Sequence, residues 1–342
     1  MGMRAVRPDC PESPDLYRTH KKHVHVLGGY RAPSTANDQD VGHVAVVEDD
    51  PRCTFVLRRG EDDDGERIDW LLAFRKFRLT HPDIYHFVAF WCDRRLASIA
   101  SQDAGFYYGL ANPAKGINWK PDVPTHRKGW GTRRLQAFMY FDADDDATLL
   151  QEIGHHWMAY TGFKYRRDER AAHYDLLRHD CAHWSSYFDN DRSPMDYDDS
   201  DLPDGASVDW TDHGDGTFTT HRVRRGQFAY CNLDLYLMGL IPPGEVGEFY
   251  LIGDPRRRGR KGEVRGKRVT LTVQNIVLAN GKRRPSSEDS PKRFKIAFVL
   301  LTREARRAAT RVRHVNRIRE RFAQIFRKAT GGRAEVDTQL SP

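Results

Sequence analysis

The 342-residue chain lacks any apolar run near the roughly 18 residues that span a bilayer. Its longest runs, such as Ile296 to Leu301, are far shorter, so no membrane-spanning helix and no membrane partner are expected. The opening stretch, Met1 to Cys10, carries charge but no apolar segment, and no secretory leader is read there. Cysteine is scarce: Cys10, Cys53, Cys92, Cys181 and Cys231 are scattered, with no C-x-x-C pair. An odd count leaves at least one thiol free; the set reads as buried or free thiols, with a Cys10–Cys53 bridge open to an exported protein. Internal repeats and long low-complexity linkers are also missing, which excludes a solenoid and widely separated domains.

Charge of neither sign dominates. The net charge of +7 comes from 55 Lys and Arg against 48 Asp and Glu. The basic excess lies late, in Arg256 to Lys261 and in 303–328, while Asp142 to Asp146 and Asp196 to Asp201 are acidic. Such polarity fits the solvated faces of a cleft protein. No nucleic-acid-binding motif accompanies the arginines, so a nucleic-acid partner is not expected. A content of 39% hydrophobic and 11% aromatic residues argues for a folded globular chain. At this length a mixed α/β (α+β) protein of two lobes is expected, 1–160 and 161–342.

Residue patterns place the elements. Strands are read at His23 to Leu27, Val44 to Val47, Thr54 to Leu57, Ile84 to Trp91, Arg134 to Phe141, Val269 to Val273 and Phe294 to Leu301. Ile68 to Phe77 has helical spacing. The Gly-, Pro- and Asn-rich stretch 103–130 reads as an irregular connection. The 134–141 strand is either an ordinary core strand or, in a peptidase, the upper edge of a cleft where an extended peptide pairs. A central helix is expected from about 146 to 160, capped by the acidic cluster and ended by Gly162. A hairpin-like turn at 212–218, a helix at Leu233 to Leu240 and a long amphipathic helix at 303–329 follow. The last carries Val312, Val315, Ile318, Phe322, Ile325 and Phe326 on one face, suited to docking on the body.

The chemistry is concentrated in Gln151-Glu152-Ile153-Gly154-His155-His156-Trp157. On a helix, residues i and i+4 share a face, so Gln151 and His155 are placed to hold a metal with Glu152 beside them as base. Two such residues are not enough, since catalytic zinc takes three protein ligands and a water. His183, in a short Cys-Ala-His-Trp segment, is the first candidate for the third; His156, His173 and His179 are the alternatives. Asp142 to Asp146 have oxygen ligands suited to calcium, but lack EF-hand spacing, and a helix N-terminus accounts for them.

Downstream, Ser193-Pro194-Met195-Asp196-Tyr197 has the S-x-M-x-Y form of a Met-turn. With the QEIGH helix, it resembles the metzincin clan of zinc metallopeptidases, notably the astacin-like and serralysin-like branches. The resemblance implies a two-lobed fold with a central active-site helix, a zinc cofactor, a peptide or protein substrate, and export. It also implies Glu152 as general base, His155 and His183 as ligands, Met195 as the floor, and Tyr197 as a fifth ligand or oxyanion donor. A wider likeness, over roughly 68–340, is to bacterial peptidase-like proteins carrying an HEIGHxW helix, a later His-Trp, and a segment similar to Asn232 to Pro243. Two departures from the metzincin pattern bear on activity. Thr161 stands where HExxHxxGxxH has its third ligand, displacing that role to a residue such as His183. Gln151 replaces the first histidine, and an amide oxygen is a poor zinc ligand beside imidazole. Weakened metal binding, or an inactive pseudo-peptidase serving as a protein-binding module, is the corresponding alternative.

Overall fold

The computed structural model describes residues 39–50, 54–58, 65–101, 103–122, 129–196, 208–224, 226–257 and 262–341. The expected strand at His23 to Leu27 and the residues Cys10, Cys53 and Tyr197 lie outside them. The chain is mixed α/β. Its main sheet has seven strands: β1 (Gln39–Val41), β2 (Val44–Glu48), β5 (Phe87–Cys92), β6 (Gly105–Gly109), β7 (Ala137–Phe141), β12 (Arg293–Thr302) and β13 (Glu335–Asp337). The order is β1-β2-β12-β5-β7-β6, with β13 beside β12. Strands β2, β12, β5 and β7 are mutually parallel, whereas β6 runs antiparallel to β7 at the edge.

The four parallel strands are apolar on both sides and buried on both faces, as parallel sheets require. Val44, Val46, Phe87, Ala89, Met139, Phe298 and Leu300 face one core; Ala45, Val47, Val88, Phe90, Phe138, Val299 and Leu301 face the other. The second core is closed by α1 (Trp70–Phe77), which presents Trp70, Leu71, Phe74 and Phe77, and by Leu96 of α2 (Arg94–Ala100). Asp69 caps α1 by accepting the Leu72 N–H at 3.0 Å. The first core holds α3 (Asp146–Gly154) and the apolar stripe of α6 (Ala309–Ala329), with Val312, Val315, Ile318, Phe322 and Phe326 buried as their spacing predicts. Ile325 only packs against it.

Remaining elements are a short ribbon of β3 (Val56–Arg58) and β4 (Glu66–Ile68), and a second sheet, ordered β10-β11-β9-β8. That sheet comprises β8 (Val208–Asp212), β9 (Thr217–Arg222), β10 (Glu248–Arg257) and β11 (Glu263–Thr272), with a small core of Trp210, Phe218, Tyr250, Ile252 and Val264. Two short helices, α4 (Asn232–Met238) and α5 (Val273–Asn280), complete the chain. Among the described residues no helix is long and apolar enough to cross a membrane.

The 134–141 strand is a core strand, one of its two readings, because β6 covers its outer side. Two expectations need correction. The stretch 103–130, read as an irregular connection, holds the edge strand β6. The central helix ends at Gly154, not near 160. His155 to Trp157 form turns, and Ala159 takes a left-handed φ of 66°, so the chain leaves the helix axis well before Gly162. The segment 94–100, not singled out in the sequence, is a helix whose N-cap Asp93 accepts the Arg95 and Leu96 N–H groups.

Candidate metal and catalytic site

Asp145 is the N-cap of helix α3, and its carboxylate accepts the Thr148 N–H at 3.0 Å and the Thr148 hydroxyl at 2.8 Å. The acidic residues around this N-terminus meet the basic face of α6: Arg311 pairs with Asp142 at 3.4 Å, His314 with Asp144 at 3.8 Å, and Arg321 with Asp146 at 3.0 Å. At the other end, buried carbonyls find donors. The Tyr230 hydroxyl donates to the Leu150 carbonyl at 2.6 Å, and the Tyr160 hydroxyl to that of His155 at 2.8 Å. Gln151, Glu152 and His155 are all buried.

His183 comes to His155. Their ring centroids are 4.8 Å apart at 77°, joining a helix end to a loop 28 positions later. The loop is built around Asp180. One carboxylate oxygen accepts the Ala182 and His183 N–H groups at 3.0 and 3.1 Å; the other accepts His183 Nδ1 at 2.9 Å and Arg178 at 2.7 Å. Burial alone would raise this carboxyl, but the His183 hydrogen bond and charge, the Ala182 amide and Arg178 hold it well below the usual range. Asp180 holds His183 through Nδ1, so Nε2 is the ring nitrogen left for another partner. Burial, aided by the charge of His183, keeps the His155 imidazole neutral, far below its ordinary value. Its Nδ1 is buried with no hydrogen-bond partner.

Met195 comes to the same helix from beneath. Pro194–Asp196 is a 3-10 turn, and a Cβ placed on Gly154 would lie 2.4 Å from the Met195 Sδ. Only a glycine in that turn of the helix allows so close an approach. Asp234, on α4, ties the turn to the His183 loop. Its carboxylate accepts Trp184 Nε1 at 2.8 Å, the Ser193 hydroxyl at 2.6 Å and the Cys231 N–H at 3.1 Å. Ser193 Oγ in turn accepts the Met195 N–H, and the Met195 carbonyl accepts the Trp184 N–H at 2.9 Å. Burial pushes Asp234 up to about 6, against the bonds from Ser193 and Trp184.

Glu152 is the electrostatic outlier. Burial, with the charge of Asp103, pushes its carboxyl up to about 8. Gly105 of β6 lies directly over it: a Cβ there would be 3.2 Å from the Glu152 Cγ.

The alternative histidines are elsewhere. His156 is a core residue, hydrogen-bonded to the Tyr107 hydroxyl at 2.8 Å and packed edge-on to Phe87 and Trp157. Burial pushes it down to about 3, so it is neutral. His173 stacks on Phe163 and stands 3.6 Å from Glu169, and His179 is exposed. Cys181 is disulfide-bonded, while Cys92 and Cys231 are free and buried. Away from α3, the carboxylates of Asp189, Asp191 and Asp209 lie within 4.8 Å of one another. Asp180 and Asp234 escaped the sequence reading. The Asp-x-x-His spacing of Asp180 and His183 was a usable signal, whereas nothing local marks Asp234. No family model, curated protein or solved structure matches this chain.

Proposed function

We propose that the chain is a metzincin-like zinc metallopeptidase of two lobes, acting on a peptide laid along β6 across α3. What carries the reading is the meeting of three distant segments at one helix end, His155 against His183 with Met195 packed under Gly154. The residues suit zinc. His155 has a buried ring nitrogen without a partner, His183 is oriented by a carboxylate, and Gln151 stands one turn before His155 on the same face. His155, His183 and Gln151 would hold the ion, and zinc bound there would supply Lewis-acid activation of water and of the scissile carbonyl. Glu152, neutral below about pH 8 through burial, would be the base, its carboxylate form favoured by any positive charge beside it. It then takes the proton of the attacking water and passes it to the leaving amine. Tyr197 is assigned to the oxyanion. Peptide pairing on β6 sets the scissile bond over Glu152, because Gly105 lies there without a side chain.

A second reading, a pseudo-peptidase that binds peptide without cutting it, is favoured by Gln151, whose amide oxygen is a weak zinc donor. Elemental mass spectrometry after zinc incubation and desalting separates the two. Retention near one zinc per chain supports the metallopeptidase, and Gln151→His should tighten retention about tenfold or more. A chain that retains no zinc, with or without Gln151→His, refutes the zinc site.

A further inference from the structure

One cavity, of about 550 Å³, opens beyond the end of β6. Its wall is attached to the turn that follows His155. Asn112 donates to the His156 carbonyl, Asn118 donates to the Tyr160 carbonyl at 2.8 Å, and Trp119 packs edge-on to the His156 ring. A Cβ on Gly109 would lie 2.4 Å from Trp119, so the cavity begins where β6 stops. There the strand edge is closed: Asp122 donates its N–H to the Gly109 carbonyl at 2.9 Å and accepts the Gly109 N–H at 2.6 Å.

Among the described residues, three further donors stand at the cavity without an acidic partner. Trp119 Nε1 is buried without a hydrogen-bond partner. Lys115 lines the cavity and pairs with Arg284 in an antiparallel bridge, with reciprocal backbone bonds of 2.8 and 3.1 Å. Directly opposed residues in such a bridge project to the same side. Both side chains are exposed, and among the described residues no carboxylate pairs with either. Asp122 is turned onto Gly109, and Asp289 in the Arg284 loop onto the Ser286 hydroxyl at 2.8 Å.

Direction follows from β6. Its Gly105 end lies over Glu152 and its Gly109 end near His156, so it runs in the same sense as α3. A peptide antiparallel to β6 has its N-terminal part at the Gly109 end. We propose that this cavity is a specificity pocket for an acidic side chain on the N-terminal side of the scissile bond, recognised by Lys115, Arg284 and the Trp119 N–H. The inference rests on the peptidase reading for its direction, and on the cavity alone for its charge preference.

The test uses full-length Glu152→Gln protein and C-terminally fluorescein-labelled octa-alanine peptides with Glu or Lys at successive positions, read by anisotropy. One position near the N-terminal end should bind about fivefold tighter with Glu than with Lys, as for a partly exposed ion pair. The preference should shrink from 50 to 300 mM salt and invert in Lys115→Glu/Arg284→Glu. Lys115→Met/Arg284→Met, which introduces no new charge, should abolish it. Equal binding of the two series, no binding of either, or a preference surviving both double variants overturns the pocket. Hydrolysis of the same peptides by the unmodified chain separates the readings. Charge-selective binding without hydrolysis removes the peptidase and leaves the pocket; hydrolysis without charge selectivity removes the pocket and leaves the peptidase.

Discussion

Replacing Gly154 by alanine tests the contact on which the site is built. In the last turn of a helix, where Gly154 stands, this change ordinarily stabilises by at most about 1 kcal/mol. Here the new Cβ would lie 2.4 Å from Met195 Sδ and 3.2 Å from Met158 Cε. Met195 has little room to withdraw: it is fully buried, and its backbone is held by Ser193 and Trp184. Overpacking of this kind costs about 1–3 kcal/mol, which at least cancels the propensity gain and leaves a net loss of up to roughly 2 kcal/mol. Met195→Ala alone opens a cavity and should cost about 2–5 kcal/mol. In that background Gly154→Ala meets no sulfur, so its sign should reverse to a gain approaching 1 kcal/mol. Urea unfolding of the four proteins, followed by tryptophan fluorescence, measures the cycle. Stabilisation by Gly154→Ala in the parent chain, or the same effect in both backgrounds, would refute the placement of Met195 beneath α3.

Other outcomes follow from the same geometry. Glu152 has a folded value near 8 against an ordinary 4.5, so its neutral form stabilises the fold fully below pH 4.5, and that stability is lost as pH rises through 8. Metal-free Glu152→Gln should therefore gain on the parent by about 1.4 kcal/mol per pH unit across that window; parallel stability curves would contradict the burial. Asp234→Asn puts an amide donor against Trp184 Nε1, the Ser193 hydroxyl or the Cys231 N–H, and should lower stability by about 1–3 kcal/mol. Zinc retention should weaken with it, because the His183 loop loses its tie to the Met195 turn; a destabilised variant with unchanged zinc affinity would limit Asp234 to folding. Arg321→Ala removes a partly exposed pair to Asp146 and should cost at most about 1 kcal/mol, vanishing near 1 M salt. A salt-independent loss in thermal melts would point instead to packing.

Charge segregation along the chain finds its explanation in packing. The acidic run before α3 and the arginines of α6 lie far apart in sequence, yet they face each other over one helix N-terminus. Arg311 and Arg321 thereby steady the start of the helix that carries Glu152 and His155. Taken alone, either run suggests a surface for an external partner; together they are an internal match.

Local periodicity determined much of this protein from sequence. The apolar runs Val44 to Val47 and Phe294 to Leu301, the helical spacing in 68–77 and 312–326, and the acidic cap before the central helix all depend on near neighbours along the chain, and the elements form there, the first helix starting at Trp70. The pairing of Gln151 with His155 on one helix face also follows from backbone geometry alone. Tertiary structure decided the rest. Whether His156 or His183 faces His155 depends on which side of α3 packs on the sheet: His156 turns to Phe87 and Tyr107, and His183 arrives on the Asp180 loop. The edge role of β6 was hidden among glycines and asparagines, because an edge strand is defined by its neighbour β7, and not by a pattern of its own. The insertion of β12 between β2 and β5, and the hold of Asp234 on Trp184 and Ser193, join residues about 40 to 250 positions apart. Contacts of that separation leave no periodic trace, since each is set by how completed elements pack and by the need of buried polar groups for partners.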